Sequence, residues 1–352
     1  MSCGTVYLIG AGPGDPGLLT LRGAELLAAA DLVLYDGLVN PLLLRHARGR
    51  CERTSRVRND HNDKVAQADV NQRLIAAARA GHMVVRLKGG DPFLFGRGSE
   101  EARALAEAGI PFEVVPGVTA AIAAGEYAGI SFTHRDLASA VAFVTGHEDP
   151  TKPAAQLDYA ALARFPGTLV FYMGLHRLPQ IAEALLAEGL ASDTPTAIIC
   201  HASLPSQQTL VAPLSEIAAA AERADLRPPS LIVIGRCVAQ REKIAWFEQR
   251  PLFGKRIGIT RPQELAAGQG GVSGDVGLHR TIARCLELGA EPVLMPVISV
   301  SRIDDFATID PTFDRLCDFD WLVFTSANGV TAFFSRLWEL GGDARRLSGA
   351  RI

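Results

Sequence analysis

Apolar residues along the chain fall into two patterns. Some form short runs bounded by glycine, proline or a carboxylate. Others recur every three to four positions over longer stretches. A strand-length run at 5–9 leads into Gly10-Ala11-Gly12-Pro13-Gly14-Asp15-Pro16-Gly17. Helical spacing then covers 18–30, and a second strand-length run at 31–35 ends at Asp36. The alternation continues with helix 69–80, strand 83–87, helix 100–108 and strand 111–115, closed by Pro116-Gly117. Gly81 and Gly109 stand where helix C-caps belong. Strand, helix and strand in succession predict an α/β fold with a parallel sheet.

A second α/β block follows. It opens on a helix of small residues at 117–130. Strands are predicted at 141–144, 168–173, 196–200 and 230–234, with helices at 178–187 and 214–224. A third block has strands at 256–260, 293–296 and 321–325 and helices at 278–288 and 328–340. These blocks set the expected domains as 1–117, 118–245 and 251–352. The last reads as an incomplete α/β domain, stopping in what looks like the start of a strand and leaving apolar sheet edge uncovered.

Composition changes little in this picture. Of 352 residues, 48% are hydrophobic and 21% charged, ordinary for a globular protein. A net charge of −3 gives no reason to expect nucleic-acid binding. Six scattered cysteines without a CxxC pair argue against a zinc site or a disulfide framework and fit a reducing cytoplasm. No apolar run reaches the roughly 18 residues of a membrane helix, and no signal peptide is apparent. Histidines lack ligand spacing, so no metal is expected.

The stretch with most chemistry is 84–101, VVRLKGGDPFLFGRGSEE. A buried-looking strand runs into two glycines, then charges of both signs (Lys88, Asp91, Arg97) beside Phe93 and Phe95. This suits a ligand site at the carboxyl edge of an α/β sheet. The first glycine loop invites a dinucleotide reading, but Gly10-x-Gly12-x-Gly14 is not GxGxxG. Pro13 and Pro16 also remove N–H groups that a pyrophosphate needs. Asp36, about 20 residues beyond, keeps a nicotinamide enzyme in play as a rival. The arginines at 45, 48, 50, 53, 56 and 58 read mainly as a solvated face, with 54–62 able to deliver one or two into a cleft. The small residues of 117–130 suit either tight packing or a close ligand.

In combination these blocks resemble the uroporphyrinogen-III C-methyltransferases of the tetrapyrrole methylase family. The matching segments are VYLIGAGPGDPGLLTLRGAELLAAADLVLYDGLV, VVRLKGGDPFLFGRGSEE, GVTAAIAAGEYAGI, THRD, VTGH and FYMGL, in order over 5–245. Residues 251–352 resemble the beginning of uroporphyrinogen-III synthase through PLFGKRIGITRP, LELGAEPVLMPVI and DWLVFTSANGV. The resemblance implies a two-domain methylase fold with a ligand cleft between the domains, a homodimer, and S-adenosylmethionine as methyl donor, leaving as S-adenosylhomocysteine. It implies two methylations of uroporphyrinogen III, at C2 and C7, giving precorrin-2 for sirohaem or cobalamin synthesis. A methyltransferase of a later precorrin is the alternative. No synthase activity is expected of 251–352 alone.

Site roles carry over as follows. Donor contacts fall on Pro13, Gly89, Gly90, Asp91, Leu94, Thr119, Ala120, Met173 and Ala202. Asp36 is the implied proton acceptor, with Arg97 and Arg58 the other catalytic candidates. The substrate's eight carboxylates suit the planar guanidinium fork, which gives Arg56, Arg135 and Arg97 a task. Phe95 and Tyr172 complete the substrate set. Arg97 is read as a carboxylate clamp because an arginine with a pKa above about 12 makes a poor base. The chain departs from the family pattern in SRVRNDHNDK (55–64), in Ala120 where serine is usual, and in Ser131 where proline is usual.

Overall fold

The computed structural model describes residues 3–54, 63–146, 157–260, 276–297, 303 and 305–352, with backbone alone at 63–66, 276, 277 and 327. It divides into two compact units, Met1–Lys255 with Leu288–Glu291, and Arg256–Glu287 with Pro292–Ile352.

The first unit opens with β1 (Val6–Gly10), α1 (Leu21–Ala29), β2 (Leu32–Tyr35), β3 (Arg50–Arg53), α2 (Asp63–Arg79), β4 (Val84–Lys88), α3 (Gly98–Glu107) and β5 (Phe112–Val115). The strands form one sheet in the order β3-β2-β4-β1-β5, every neighbour parallel. Buried on both faces, β1 carries a near-continuous apolar run, and β4 is buried throughout although Arg86 and Lys88 interrupt its apolar residues. Leu26 and Leu27 of α1 pack on Ile9, Val33, Val85 and Leu87. On the other face Leu74 of α2 and Leu105 of α3 pack on Val6, Leu8, Leu34 and Val84. The chain leaves β1 toward β2 and leaves adjacent β4 toward β5, so the two connections diverge. This is the switch point at which open α/β sheets hold ligands.

The same unit continues with α4 (Ala120–Ala128), β6 (Val141–Thr145), α5 (Tyr159–Ala163), β7 (Thr168–Tyr172), α6 (Leu178–Ala187), β8 (Pro195–Cys200), β9 (Gln208–Pro213), α7 (Ile217–Arg223), β10 (Ser230–Ile234) and α8 (Arg241–Ile244). Its sheet is mixed, in the order β6-β7-β10-β8-β9. β6 and β7 are parallel, while β10 runs antiparallel to β7 and β8. The carboxyl ends of β6, β7 and β8 therefore share an edge. α6 and α7 cover one face. The small residues of α4 lie against the other, Ala121, Ala124 and Ala128 packing on Val170, Ala197 and Val233. Close packing accounts for most of this helix.

The second unit holds β11 (Arg256–Ile259) paired with β12 (Glu291–Leu294), together with α9 (Val276–Glu287), α10 (Asp310–Asp314) and α11 (Ala327–Glu339). Phe313, Leu316, Leu337 and Leu347 form its small core. The strand expected at 321–325 does not form; Trp321 makes one bridge, to Arg351. Trp321, Val323, Met295 and Val297 are all more than half exposed.

Two strands escape the sequence pattern. β3 lies inside the arginine-rich stretch, which read as a solvated face. As an edge strand it keeps Arg50, Cys51 and Arg53 exposed, so apolar content does not mark it. β9 is likewise an edge, with Gln208 and Val211 exposed and the rest half-buried.

Candidate functional site

Three glycines bring the carboxyl ends of β1, β4 and β5 into backbone contact. A Cβ on Gly10 would lie 2.5 Å from Gly117 Cα and 2.6 Å from the Gly90 carbonyl oxygen. One on Gly117 would lie 2.4 Å from that same oxygen. No other residue fits these positions without moving the main chain. Gly12 and Gly90 then exchange hydrogen bonds: the Gly90 N–H donates to Gly12 O at 2.8 Å and the Gly12 N–H to Gly90 O at 3.2 Å. Gly90 takes φ +68°, and the space a Cβ would fill is bounded by Ala120 N at 3.6 Å and Thr119 Cα at 3.9 Å. Beside Pro13, Gly14 O accepts from Asn40 Nδ2 at 2.7 Å.

Asp91 builds the next turn. Its Oδ1 accepts from the N–H groups of Phe93 (2.8 Å) and Leu94 (3.1 Å), and its Oδ2 from the Gly117 N–H (3.1 Å). Phe95 and Arg97 follow in left-handed conformations, φ 53° and 59°. The Arg97 fork donates to Glu100, Nε to Oε1 at 3.0 Å and Nη2 to Oε2 at 2.9 Å. Both side chains are nearly half exposed, and the Arg97 bond holds the Glu100 carboxyl below the usual range.

Tyr172 closes β7. Its hydroxyl is 2.7 Å from Thr119 Oγ1 and accepts from the Ala121 N–H at 3.0 Å, which caps the first turn of α4. Burial pushes this hydroxyl pKa up, and the two hydrogen bonds only partly oppose it. The Phe95 ring stands 4.7 Å from the Tyr172 ring, centroid to centroid. Met173 follows at φ 55°, about half exposed. After β8, His201 (φ 50°) and Ser203 (φ 65°) flank buried Ala202. Ala202, Leu94, Ala120 and Tyr172 belong to one apolar cluster. Ser203 Oγ accepts from the Asp15 N–H at 3.0 Å, and Asp15 Oδ2 accepts from the Tyr127 hydroxyl at 2.7 Å. Among the described residues, Asp225 alone of the left-handed non-glycines lies outside the loops after β4, β7 and β8. Left-handed non-glycine residues cost about 1–3 kcal/mol each, and here they gather in loops at the carboxyl ends of strands of both sheets.

Asp36 follows β2 and leads to a buried charge network. Arg86 Nη2 donates to Asp36 Oδ1 at 2.5 Å and Arg86 Nε to Glu101 Oε1 at 3.0 Å. Lys88 Nζ and Gln67 Nε2 each donate to Glu101 Oε1 at 3.1 Å. Burial alone would push the Asp36 carboxyl up; the charges of Arg86 and Lys88 outweigh it and hold it below its ordinary value. Burial, with Arg86 nearby, pushes the Lys88 ammonium down despite Glu101.

The structure therefore gathers all nine expected donor positions around one edge. Pro13, Gly89, Gly90, Asp91 and Leu94 come from the first sheet, Thr119 and Ala120 from α4, and Met173 and Ala202 from the second sheet. One expectation is corrected. Lys88 is not a charge at the turn; it lies inside β4, buried and paired with Glu101. Asp91 spends both carboxylate oxygens on backbone N–H groups. Tyr172, expected to touch substrate, is 8% exposed with its hydroxyl committed to α4. Arg135 is exposed on the turn 134–138. Arg56, Arg58 and His147 lie outside the described residues. The sequence reading gave no role to Arg86 or Glu101. The signal was available: charges at positions 86 and 88 within an apolar strand. Among the described residues no group of three or more His, Cys, Asp or Glu is placed to hold a metal ion. An open recess of about 610 Å³, lined by 28–32, 48–50 and His82, lies at the opposite, amino-terminal edge of the first sheet and takes no part in this arrangement.

Comparison with known proteins bears on this edge. The family model for Tetrapyrrole (Corrin/Porphyrin) Methylases matches residues 5–218, and that for Uroporphyrinogen-III synthase HemD matches residues 279–352. The chain is 39% identical to the porphyrin biosynthesis protein HemD of Ruminiclostridium josui, over 100% of this chain and 67% of that one. It is 46% identical to the siroheme synthase of Thiobacillus denitrificans over 74% of this chain, and spans 54% of that relative's length. Its fold is similar to that of uroporphyrin-III C-methyl transferase from Thermus thermophilus complexed with S-adenyl homocysteine. That similarity has a TM-score of 0.58 at 41% identity and covers 67% of this chain and 99% of that one.

Proposed function

The chain belongs to the tetrapyrrole methylases, and we propose from this that its first unit transfers methyl groups from S-adenosylmethionine to uroporphyrinogen III. The proposed positions are C2 and C7, and the product is precorrin-2. The observation that carries the reading is the meeting of the Gly12–Gly90 turns with the Tyr172-capped start of α4. The relative at 41% identity that holds S-adenosylhomocysteine supports it.

The residues present fit such a donor. The open face of Gly90 allows a ligand to approach the backbone, and the first turn of α4 favours a carboxylate. Leu94, Ala202 and Met173 supply apolar walls for a purine. S-adenosylmethionine needs no pyrophosphate cradle, so Pro13 and Pro16 are no obstacle. When bound it supplies an electrophilic methyl on a sulfonium that leaves as a neutral thioether.

The chain's task is then to orient and to manage charge. As the pyrrole carbon bonds the methyl, positive charge develops on the ring and a proton must leave the macrocycle. We assign Asp36 to face that charge. With its pKa depressed it is anionic at neutral pH, which suits it to stabilise a cation and to pass the proton onward. Arg97 is a substrate-carboxylate clamp, for which the acceptor competes with Glu100. Arg56, Arg58 and Arg135 would meet further carboxylates, and Phe95 the macrocycle. The chain is further proposed to act as a homodimer, on the family resemblance, and in the cytoplasm, on its six free cysteines. Incubating uroporphyrinogen III with methyl-labelled donor tests the function. Label should enter the tetrapyrrole; label remaining in the donor contradicts it.

A further inference from the structure

We propose that Arg86 and Glu101 are positioning residues for methyl transfer: Arg86 is the fork that aims the Asp36 carboxylate, and Glu101 is the buried counter-carboxylate that holds the fork. This rests on the role of Asp36 given above.

The geometry is that of a relay between core and site. Arg86 and Lys88 lie two residues apart on β4, on the sheet face that α2 and α3 cover. The Glu101 side chain, in the first turn of α3, is fully buried, and those of Arg86 and Lys88 are 4% and 3% exposed. Asp36 is the one charged member with appreciable solvent access, its side chain 31% exposed. Arg86 spans the two carboxylates, Nε on Glu101 and Nη2 on Asp36, while its Nη1 donates to Leu34 O at 3.4 Å. Among the described residues the donors to the Asp36 side chain, Arg86 and Thr54, both address Oδ1. Oδ2 is thereby left for the acceptor.

Stability does not account for this arrangement. Buried ion pairs are often replaced by apolar residues of similar volume with no loss, or with a gain of about 1–4 kcal/mol. Apolar side chains at 86, 88 and 101 would extend the apolar cluster that already holds Val84, Ala102 and Leu105. What the charges add is a rigid, ionised Asp36. Arg86 and Lys88 set two cations against the two carboxylates of Asp36 and Glu101. A lysine at 86 would reach one carboxylate as a point charge, whereas the planar arginine reaches both.

A double-mutant cycle on the full chain tests the proposal: Arg86→Met, Asp36→Asn and the pair. The readouts are turnover at saturating donor, the KM for uroporphyrinogen III, and calorimetric binding of S-adenosylhomocysteine. Arg86→Met should lower kcat at least about tenfold while S-adenosylhomocysteine affinity stays within about twofold; in the Asp36→Asn background it should cost less than about threefold more. Equal losses in both backgrounds, or donor affinity falling in step with kcat, would make Arg86 merely structural and overturn the proposal. Should Arg86→Met fail to fold, Glu101→Gln keeps the shape and removes the charge. It must show the same non-additivity with Asp36→Asn, and additive or absent effects overturn the proposal. Unchanged turnover in Asp36→Asn alone would bring down the role of Asp36 and this inference with it. A slow Asp36→Asn with an additive Arg86→Met brings down the inference only.

Discussion

The Tyr172 hydroxyl lies 2.7 Å from Thr119 Oγ1 and 3.0 Å from the Ala121 amide, so the last residue of β7 caps the first turn of α4. This contact fixes the helix start against the Gly90 turn. Tyr172→Phe leaves the Ala121 N–H unpaired and should cost about 1–2 kcal/mol of stability. S-adenosylhomocysteine should bind several-fold more weakly, with kcat little changed at saturating donor. Thermal unfolding and calorimetric titration check both.

Gly90 and Gly109 share a left-handed backbone, φ +68° and +69°, but differ in surroundings. A Cβ at Gly109 meets nothing within 4 Å, whereas one at Gly90 points into the space beside Ala120. Both alanine variants should lose about 1–2 kcal/mol of stability. Gly90→Ala alone should also lose S-adenosylhomocysteine affinity, by about tenfold or more. Equal affinities in the two variants would remove Gly90 from the donor site.

Arg97→Lys should keep donor binding and lose most turnover, because an ammonium cannot make the two-point bond that a guanidinium makes. The KM for the tetrapyrrole should rise and the S-adenosylhomocysteine Kd should hold. Steady-state kinetics with calorimetry separates the two; turnover like that of the unaltered chain would end the clamp assignment.

Asp36 carries a pH signature. Its folded pKa lies below its unfolded one, so its ionisation stabilises the fold above the unfolded carboxylate value of about 3.9. That contribution fades as pH falls through the depressed folded value. The stability gap between the unaltered chain and Asp36→Asn should therefore be widest near neutral pH and shrink as pH falls below the unfolded carboxylate value. Calorimetric scans across pH test this, and a gap independent of pH would contradict it.

Much of this molecule was legible in its sequence for reasons that are physical. β1 announces itself because a strand buried on both faces is apolar almost throughout, β4 shows the same pattern at Val84, Val85 and Leu87, and the glycines that follow mark where backbones touch. Edge strands β3 and β9 carry no such requirement and were missed. The proposed donor positions came from the family resemblance; residue pattern alone marked only a charged glycine turn after β4. The Arg86–Glu101–Lys88 network was not legible, because its members are 15 or fewer residues apart along the chain yet meet only when α3 folds back over β4. Asp91 was legible as important but not as a backbone staple, since its partner Gly117 lies 26 residues on.

The central claim is that this edge methylates uroporphyrinogen III twice. The most direct test is the mass of the tetrapyrrole recovered after incubation of the full chain with uroporphyrinogen III and excess S-adenosylmethionine. The account predicts a product carrying two added methyl groups, formed with two equivalents of S-adenosylhomocysteine. Recovery of unmethylated uroporphyrinogen III, from a chain that binds S-adenosylhomocysteine and methylates only a later precorrin, would contradict it.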